Sequence, residues 1–287
     1  MALAVPLRGS RHESPVAQFL VVRRLAMRCI FCKSNSEGSV SVEHVIPESL
    51  GNEDHILPRG WVCDGCNNYL ATKVEKPFLD SLYGRSSRSS MGVPNKRGRI
   101  PPAEGWHAQS RTRVELVHVP GEGMCVGAAP GEDASRWVES FQTNTHGTLY
   151  IPTPDTPEPN GVTARFIAKV ALEVLALRCA DVTGWNDELV DKPELDELRR
   201  YVRRGIPNLL WPVHIRRLYA QDFLFPGDAH GPHQVLHEFD ILHTPEGEYF
   251  VVVAIFGLEY TINVGGPELD GYHAWLKSNG DKSPLYK

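Results

Sequence analysis

The sequence predicts an α+β protein in two unequal parts: a small cysteine-rich N-terminal unit and a C-terminal α+β domain with an antiparallel sheet. Three observations carry this prediction. Two C-x-x-C pairs, Cys29 with Cys32 and Cys63 with Cys66, lie near the N-terminus. One long apolar stretch with helical spacing runs from Thr163 to Ala180, and three β-patterned segments follow between Gln234 and Asn263.

The chain of 287 residues is long enough to bury a sizeable core and to hold more than one structural unit. No apolar run approaches the roughly 18 residues that a membrane crossing needs, so no membrane partner is expected. Residues 1–26 are read as an N-terminal extension, either disordered or an over-long start. They hold only the brief apolar run Phe19-Leu20-Val21-Val22 and no signal-peptide pattern. Paired C-x-x-C spacing points to metal binding in a reducing compartment, which predicts a cytoplasmic location. The net charge of −5 conceals a division. Residues 1–113 carry 16 lysines and arginines against 10 acidic residues, whereas residues 114–287 carry 14 against 25. A basic N-terminal part suits a nucleic-acid-facing module joined to a part with another task.

In chain order, residues 27–82 form the motif-bearing unit. Residues 83–113, rich in Ser, Gly, Pro and basic side chains, read as a basic linker. Residues 114–287 form the accessory domain. Within it, Val114–Val119 and Thr148–Ile151 read as short strands, and the four prolines between Pro152 and Asn160 mark a connection. In Thr163–Ala180, residues Phe166, Ile167, Val170, Ala171, Val174 and Leu175 recur at helical spacing. Pro193–Arg204 is a second helix, with Pro193 suited to its first turn and Gly205 to its end. Its Arg199, Arg200, Arg203 and Arg204 read as complements to the helix dipole. Gln234–Leu242, Tyr249–Phe256 and Leu258–Asn263 form an antiparallel meander, with Pro245-Glu246-Gly247 turning the first hairpin. The helices are expected on one face of that sheet. Isolated Cys179 reads as a small buried hydrophobe.

The chemistry lies in the first unit. Four thiolates from Cys29, Cys32, Cys63 and Cys66 satisfy tetrahedral Zn²⁺ with no open position, which makes the site structural. Between the pairs stand Glu43 and His44, and Asn67 follows the last cysteine. A neutral imidazole can take a proton from water near pH 7. A carboxylate and an amide oxygen can hold a hard divalent cation.

Cys29-x-x-Cys32, Glu43-His44-Val45-Ile46-Pro47, Leu50-Gly51-Asn52 and Cys63-x-x-Cys66-Asn67 resemble the HNH endonucleases, in particular the subgroup with four zinc cysteines and an E-H-[IV]-I-P segment. The resemblance covers about a fifth of the chain. It implies a ββα-metal finger, with a hairpin and then a helix starting near Cys63 or Gly65 and running through Val74. It implies His44 as general base and Glu43 and Asn67 as ligands of a catalytic Mg²⁺ or Mn²⁺. Glu43 stands where Asp is more usual in the family. Asn52 is the family's middle Asn, bracing the hairpin loop. The reaction implied is hydrolysis of a DNA phosphodiester bond to 5′-phosphate and 3′-hydroxyl ends. By analogy, the setting is restriction-like or phage defence. The alternative is a non-catalytic zinc module that binds nucleic acid or protein. RNA as substrate, a homo-oligomer and a regulatory partner docking on the C-terminal domain all stay open.

Several residues carry two readings. Glu75 supports the metal through water or forms a surface pair. Arg85, Arg88, Lys96, Arg97 and Arg99 contact phosphate or lie in a solvated linker. His55 is expected in solvent. His230, His233, His237 and His243 have metal-like spacing but no acidic companions, and read as ordinary loop and strand histidines.

Overall fold

A computed structural model describes residues 27–119, 121–206, 210–227 and 231–286. The N-terminal extension 1–26 and His230 lie outside the described residues. In chain order the elements begin with β1 (Glu43–His44), β2 (Ile56–Leu57), α1 (Asp64–Leu70), α2 (Lys76–Leu79) and α3 (Leu82–Ser90). There follow β3 (Ala103–His107), β4 (Thr112–Val119), β5 (Gly123–Ala128), α4 (Ala134–Thr143) and β6 (Leu149–Tyr150). The C-terminal part holds α5 (Gly161–Cys179), α6 (Trp185–Asp191), α7 (Asp196–Arg204), β7 (His214–Arg217), β8 (His237–His243), β9 (Tyr249–Ile255), β10 (Leu258–Asn263) and α8 (Asp270–Ser278). Among the described residues, no helix is long and apolar enough to cross a membrane.

The first unit is a hairpin followed by a helix. β1 pairs antiparallel with β2, Glu43 opposite Leu57 and His44 opposite Ile56. Cys63 caps α1, its Sγ accepting from the Cys66 amide at 3.4 Å. Between α1 and α2, residues Ala71–Glu75 form a π turn, and the Lys76 amide reaches back five residues to the Ala71 carbonyl. Pro77 explains the widening. It has no N–H to give to the preceding turn, and its ring would crowd the carbonyl four residues earlier.

Residues 83–113 depart from the expected linker, because they contain most of α3 and all of β3. The serines and glycine that suggested a loop let α3 pack closely. Ser86, Ser87 and Ser89 are buried, and a Cβ on Gly84 would lie 2.3 Å from the Phe78 carbonyl oxygen. Strand β3 then enters a four-stranded antiparallel sheet of order β5-β4-β3-β6. Helix α4 lies against it, with Trp137 edge-on to His107 at 4.8 Å between ring centroids.

The second sheet is antiparallel, of order β7-β10-β9-β8. Side chains alternate between its faces. Val251, Val253, Tyr260 and Ile262 join the core that contains α5, whereas Phe250 and Val252 pack with Tyr272 and Leu276 of α8. Helices therefore cover both faces, not one as expected, which is why every residue of β10 is buried. The core of α5 is continuous with that of the first unit. Leu70, Val74 and Phe78 belong to the same cluster as Phe166, Val170 and Val253, and the Phe78 and Phe166 rings stack at 4.0 Å.

Candidate active site

The four cysteines meet at one place. Their Sγ atoms all lie within 4.8 Å of one another, with Cys32 and Cys63 at 3.6 Å. Tetrahedral zinc with bonds near 2.3 Å sets sulfurs about 3.8 Å apart, so the donor set fits that ion. Packed this closely, the thiols work against one another. The Cys66 side chain hydrogen-bonds Cys29 and holds it down at about 5, while that contact and burial push Cys66 up. A bound cation lets all four ionise together. Later parts of the chain brace the cluster. Buried Arg199 donates to the Ile30 carbonyl at 2.8 Å, and Arg28 pairs with Asp187 and Asp191 at 2.7 Å each. Arg199 therefore serves this contact and not only the dipole of α7.

A second group lies where the hairpin meets the helix. Glu43, His44, Asn67 and Glu75 line one cleft, with Glu48 and Lys96 at its rim. The start of the helix is tied to the approach to β1. The Asp64 carboxylate accepts from the Ser41 amide at 2.9 Å and the Ser41 hydroxyl at 2.6 Å, which hold its pKa below the usual aspartate value. Asn67 Nδ2 donates to the Val42 carbonyl at 3.0 Å. That bond orients the amide, leaving Oδ1 as an acceptor facing other partners. Asn52, 1% exposed, spans the hairpin loop. Its Nδ2 donates to the carbonyls of Ile46 and His55, and its Oδ1 accepts from the Asp54 and His55 amides.

The π turn brings Glu75 to the cleft. In a regular helix, eight residues from Asn67 to Glu75 would set their side chains about 80° apart. One extra residue in the turn makes the spacing effectively seven, about 20° from alignment.

Lys169, in the middle of α5, lies directly behind this cleft. It is wholly buried, and its Nζ lies 2.7 Å from Glu43 Oε1, from Glu75 Oε1 and from Glu173 Oε2. It also donates to the His44 carbonyl at 3.0 Å. Burial opposes its charge, but the three carboxylates together outweigh that and hold Lys169 above the ordinary lysine value. Burial also raises Glu173 well above the usual carboxylate range. One ammonium thus faces three carboxyl groups, two of which reach the cleft.

The cleft brings together Glu43, His44 and Asn67, and leaves Asn52 in the loop beneath. Glu75 joins the cleft and is not a simple surface pair. Lys169 and Glu173 escaped the sequence reading, because they lie inside the most apolar helix; a Lys–Glu pair four residues apart on its buried stripe was the available signal. The basic residues separate. Arg88 is 6% exposed, so its guanidinium cannot meet a phosphate; the tight packing of α3 encloses it. Arg85 pairs with Glu104 at 2.6 Å. Lys96, Arg97 and Arg99 are exposed on a turn organised by Asn95, and Lys96 lines the cleft. His55 is half-buried edge-on against Phe239, not in solvent. His233, His237 and His243 have separate partners: the Phe225 backbone, the Leu50 carbonyl and the Tyr249 ring.

Residues 29–83 match the family model described as HNH endonuclease. An HNH domain with a metal-capable four-cysteine cluster is therefore present in this chain, followed by an α+β region with antiparallel sheets. Comparison with curated proteins and comparison with solved structures return no match.

Proposed function

We propose that this chain is a metal-dependent endonuclease that hydrolyses DNA phosphodiester bonds. The observation that carries the reading is the convergence of His44, Asn67, Glu43 and Glu75 on one cleft inside the HNH-matching segment. The Cys29, Cys32, Cys63 and Cys66 cluster holds structural Zn²⁺ and takes no part in the reaction. The oxygen donors suit a hard cation: Asn67 Oδ1 with the carboxylates of Glu43 and Glu75 would hold Mg²⁺ or Mn²⁺. Bound there, the cation supplies charge stabilisation for the scissile phosphate and the departing 3′ oxygen. His44 takes the proton of the attacking water. Asn52 keeps the hairpin loop in shape, so the His44 imidazole stays in register with the helix. Exposed Lys96, Arg97 and Arg99 offer positive charge to the DNA backbone. A restriction-like or phage-defence setting follows by family analogy.

The deciding experiment incubates the full chain with plasmid DNA and Mg²⁺, Mn²⁺ or EDTA, alongside His44→Ala. Mg²⁺-dependent cleavage should fall by about 10²–10⁴-fold in the variant, with zinc content unchanged. Undiminished cleavage would remove His44 from its role. No cleavage by the unmodified chain on duplex, single-stranded, branched or RNA substrates would leave the non-catalytic zinc module as the reading.

A further inference from the structure

We propose that Lys169 is a positioning residue of this cleft, supplied by the C-terminal region, which holds Glu43, Glu75 and the His44 backbone in one arrangement around the cation site. The inference rests on the nuclease reading above and extends it beyond the HNH-matching segment, which ends at residue 83.

The geometry is specific. Glu43 comes from β1, Glu75 from the π turn and Glu173 from α5, and each places one oxygen 2.7 Å from the same Nζ. The fourth contact is the carbonyl of His44, a residue that lines the cleft. Strand, helix and proton acceptor are therefore referred to a single point. The contacts also divide by role. Glu173 is fully buried and does not line the cleft, so it anchors Lys169 from behind. Glu43 and Glu75 do line it, and both spend Oε1 on Lys169. Each carboxylate keeps a second oxygen, Oε2, which suits a cation on the cleft side. One ammonium leaves an excess of negative charge on these two carboxylates. Stability alone gives little reason for the cluster, since apolar side chains of similar volume usually serve a buried core as well or better. A fixed arrangement next to a reactive cleft is what the ion cluster adds.

The test uses the full chain and three variants: Lys169→Met, Lys169→Met combined with Glu173→Gln, and Lys169→Arg. The double variant removes the buried carboxyl of Glu173 together with the cation and protects folding. Lys169→Arg keeps the charge but replaces a compact ammonium by a planar fork. Zinc content and thermal melting establish that each variant is folded. Electron paramagnetic resonance titration with Mn²⁺ counts the bound ion and reads the symmetry of its surroundings. Plasmid nicking at saturating Mn²⁺ gives kcat. Folded variants are expected to bind one Mn²⁺ with an altered spectrum, and kcat should fall by about 10²-fold without recovery at higher metal, as for a displacement near 1 Å. A merely structural role would lower melting and leave the folded fraction cutting normally; kcat within about threefold of the unmodified chain overturns the inference. If the unmodified chain binds Mn²⁺ but cuts no nucleic acid, the nuclease reading fails alone. The variants' spectra then decide: altered ones sustain the positioning role, unchanged ones overturn it. No Mn²⁺ bound by the unmodified chain overturns the inference as well.

Discussion

The thiol cluster and the carboxylate cluster solve the same problem in opposite ways. Each gathers like-charged donors around one point, and each borrows an arginine or lysine from the C-terminal helices. Arg199 hydrogen-bonds the first through the Ile30 carbonyl and stands outside the four sulfurs. Lys169 lies at the centre of the second, at 2.7 Å from three carboxylates. The first cluster is a donor set that a metal ion can neutralise. The second has a counter-charge built into the fold. Four clustered thiols need a bound cation to ionise together, whereas carboxylates gathered on a buried lysine already have one.

The largest effect should come from breaking the first cluster. Zinc removal by a strong chelator, or Cys63→Ser, takes away a binding free energy on the order of 10 kcal/mol. The hairpin and α1 should unfold, read as loss of hydrogen-exchange protection at Val45 and Leu70. The sheet of β8, β9 and β10 shares that core on one face and packs on α8 with the other, so it should lose protection to a smaller extent. Survival of the hairpin without zinc would contradict the contrast drawn here.

Removing the built-in charge comes next. Lys169→Met leaves buried carboxylates without their partner and should destabilise the protein by about 3–5 kcal/mol. Adding Glu173→Gln should recover part of that in urea denaturation; equal losses in the single and double variants would mean that the lost charge is not the cause. Phe78→Ala tests the shared core at a similar scale, about 3–5 kcal/mol, since Phe78 is 1% exposed and stacked on Phe166. Separate melting of the two regions in that variant would show them to be independent.

The smallest expected effect is on pH. Burial holds His237 down at about 4, although its bond to the Leu50 carbonyl pulls the other way. The unfolded chain takes up that proton first, near 6.5. Stability is thus complete above about pH 6.5 and falls progressively as pH drops towards about 4. Between pH 7 and pH 5 the loss should be about 1–2 kcal/mol, and His237→Gln should flatten it in urea midpoints. An unchanged slope in that variant would place the acid sensitivity elsewhere.

Much of the first cluster could be read from residues close in sequence. The cysteine spacing, the hairpin around Glu43 and His44, and the helix after Cys63 follow from local pattern and motif. The C-terminal strands also followed, because alternation and the turn at Gly247 are local signals. The second cluster was only half visible. Asn67 and Glu43 stand in the motif, but Lys169 lies more than 90 residues beyond Asn67, and only packing of α5 onto the hairpin brings it there. Glu75 depended on a π turn that no periodicity announces until Pro77 is taken into account. Helix α3 was hidden by its composition, since serine and glycine mark loops in most contexts and tight helix packing in this one.

The π turn has one further consequence. Between Asn67 and Phe78 the chain must do two things with one run of residues: aim Glu75 at the cleft and deliver Phe78 onto Phe166. Relaxation of the full-length run to plain helix would turn everything after it by about 100°, taking Glu75 from the cleft and Phe78 from Phe166. Loss of one residue between Ala71 and Val74 would instead give plain helix with the later side chains in their present phase, because the widened turn holds one extra residue. Both contacts therefore hang on one widened turn, and Pro77 beside it, lacking an N–H, keeps that turn from closing.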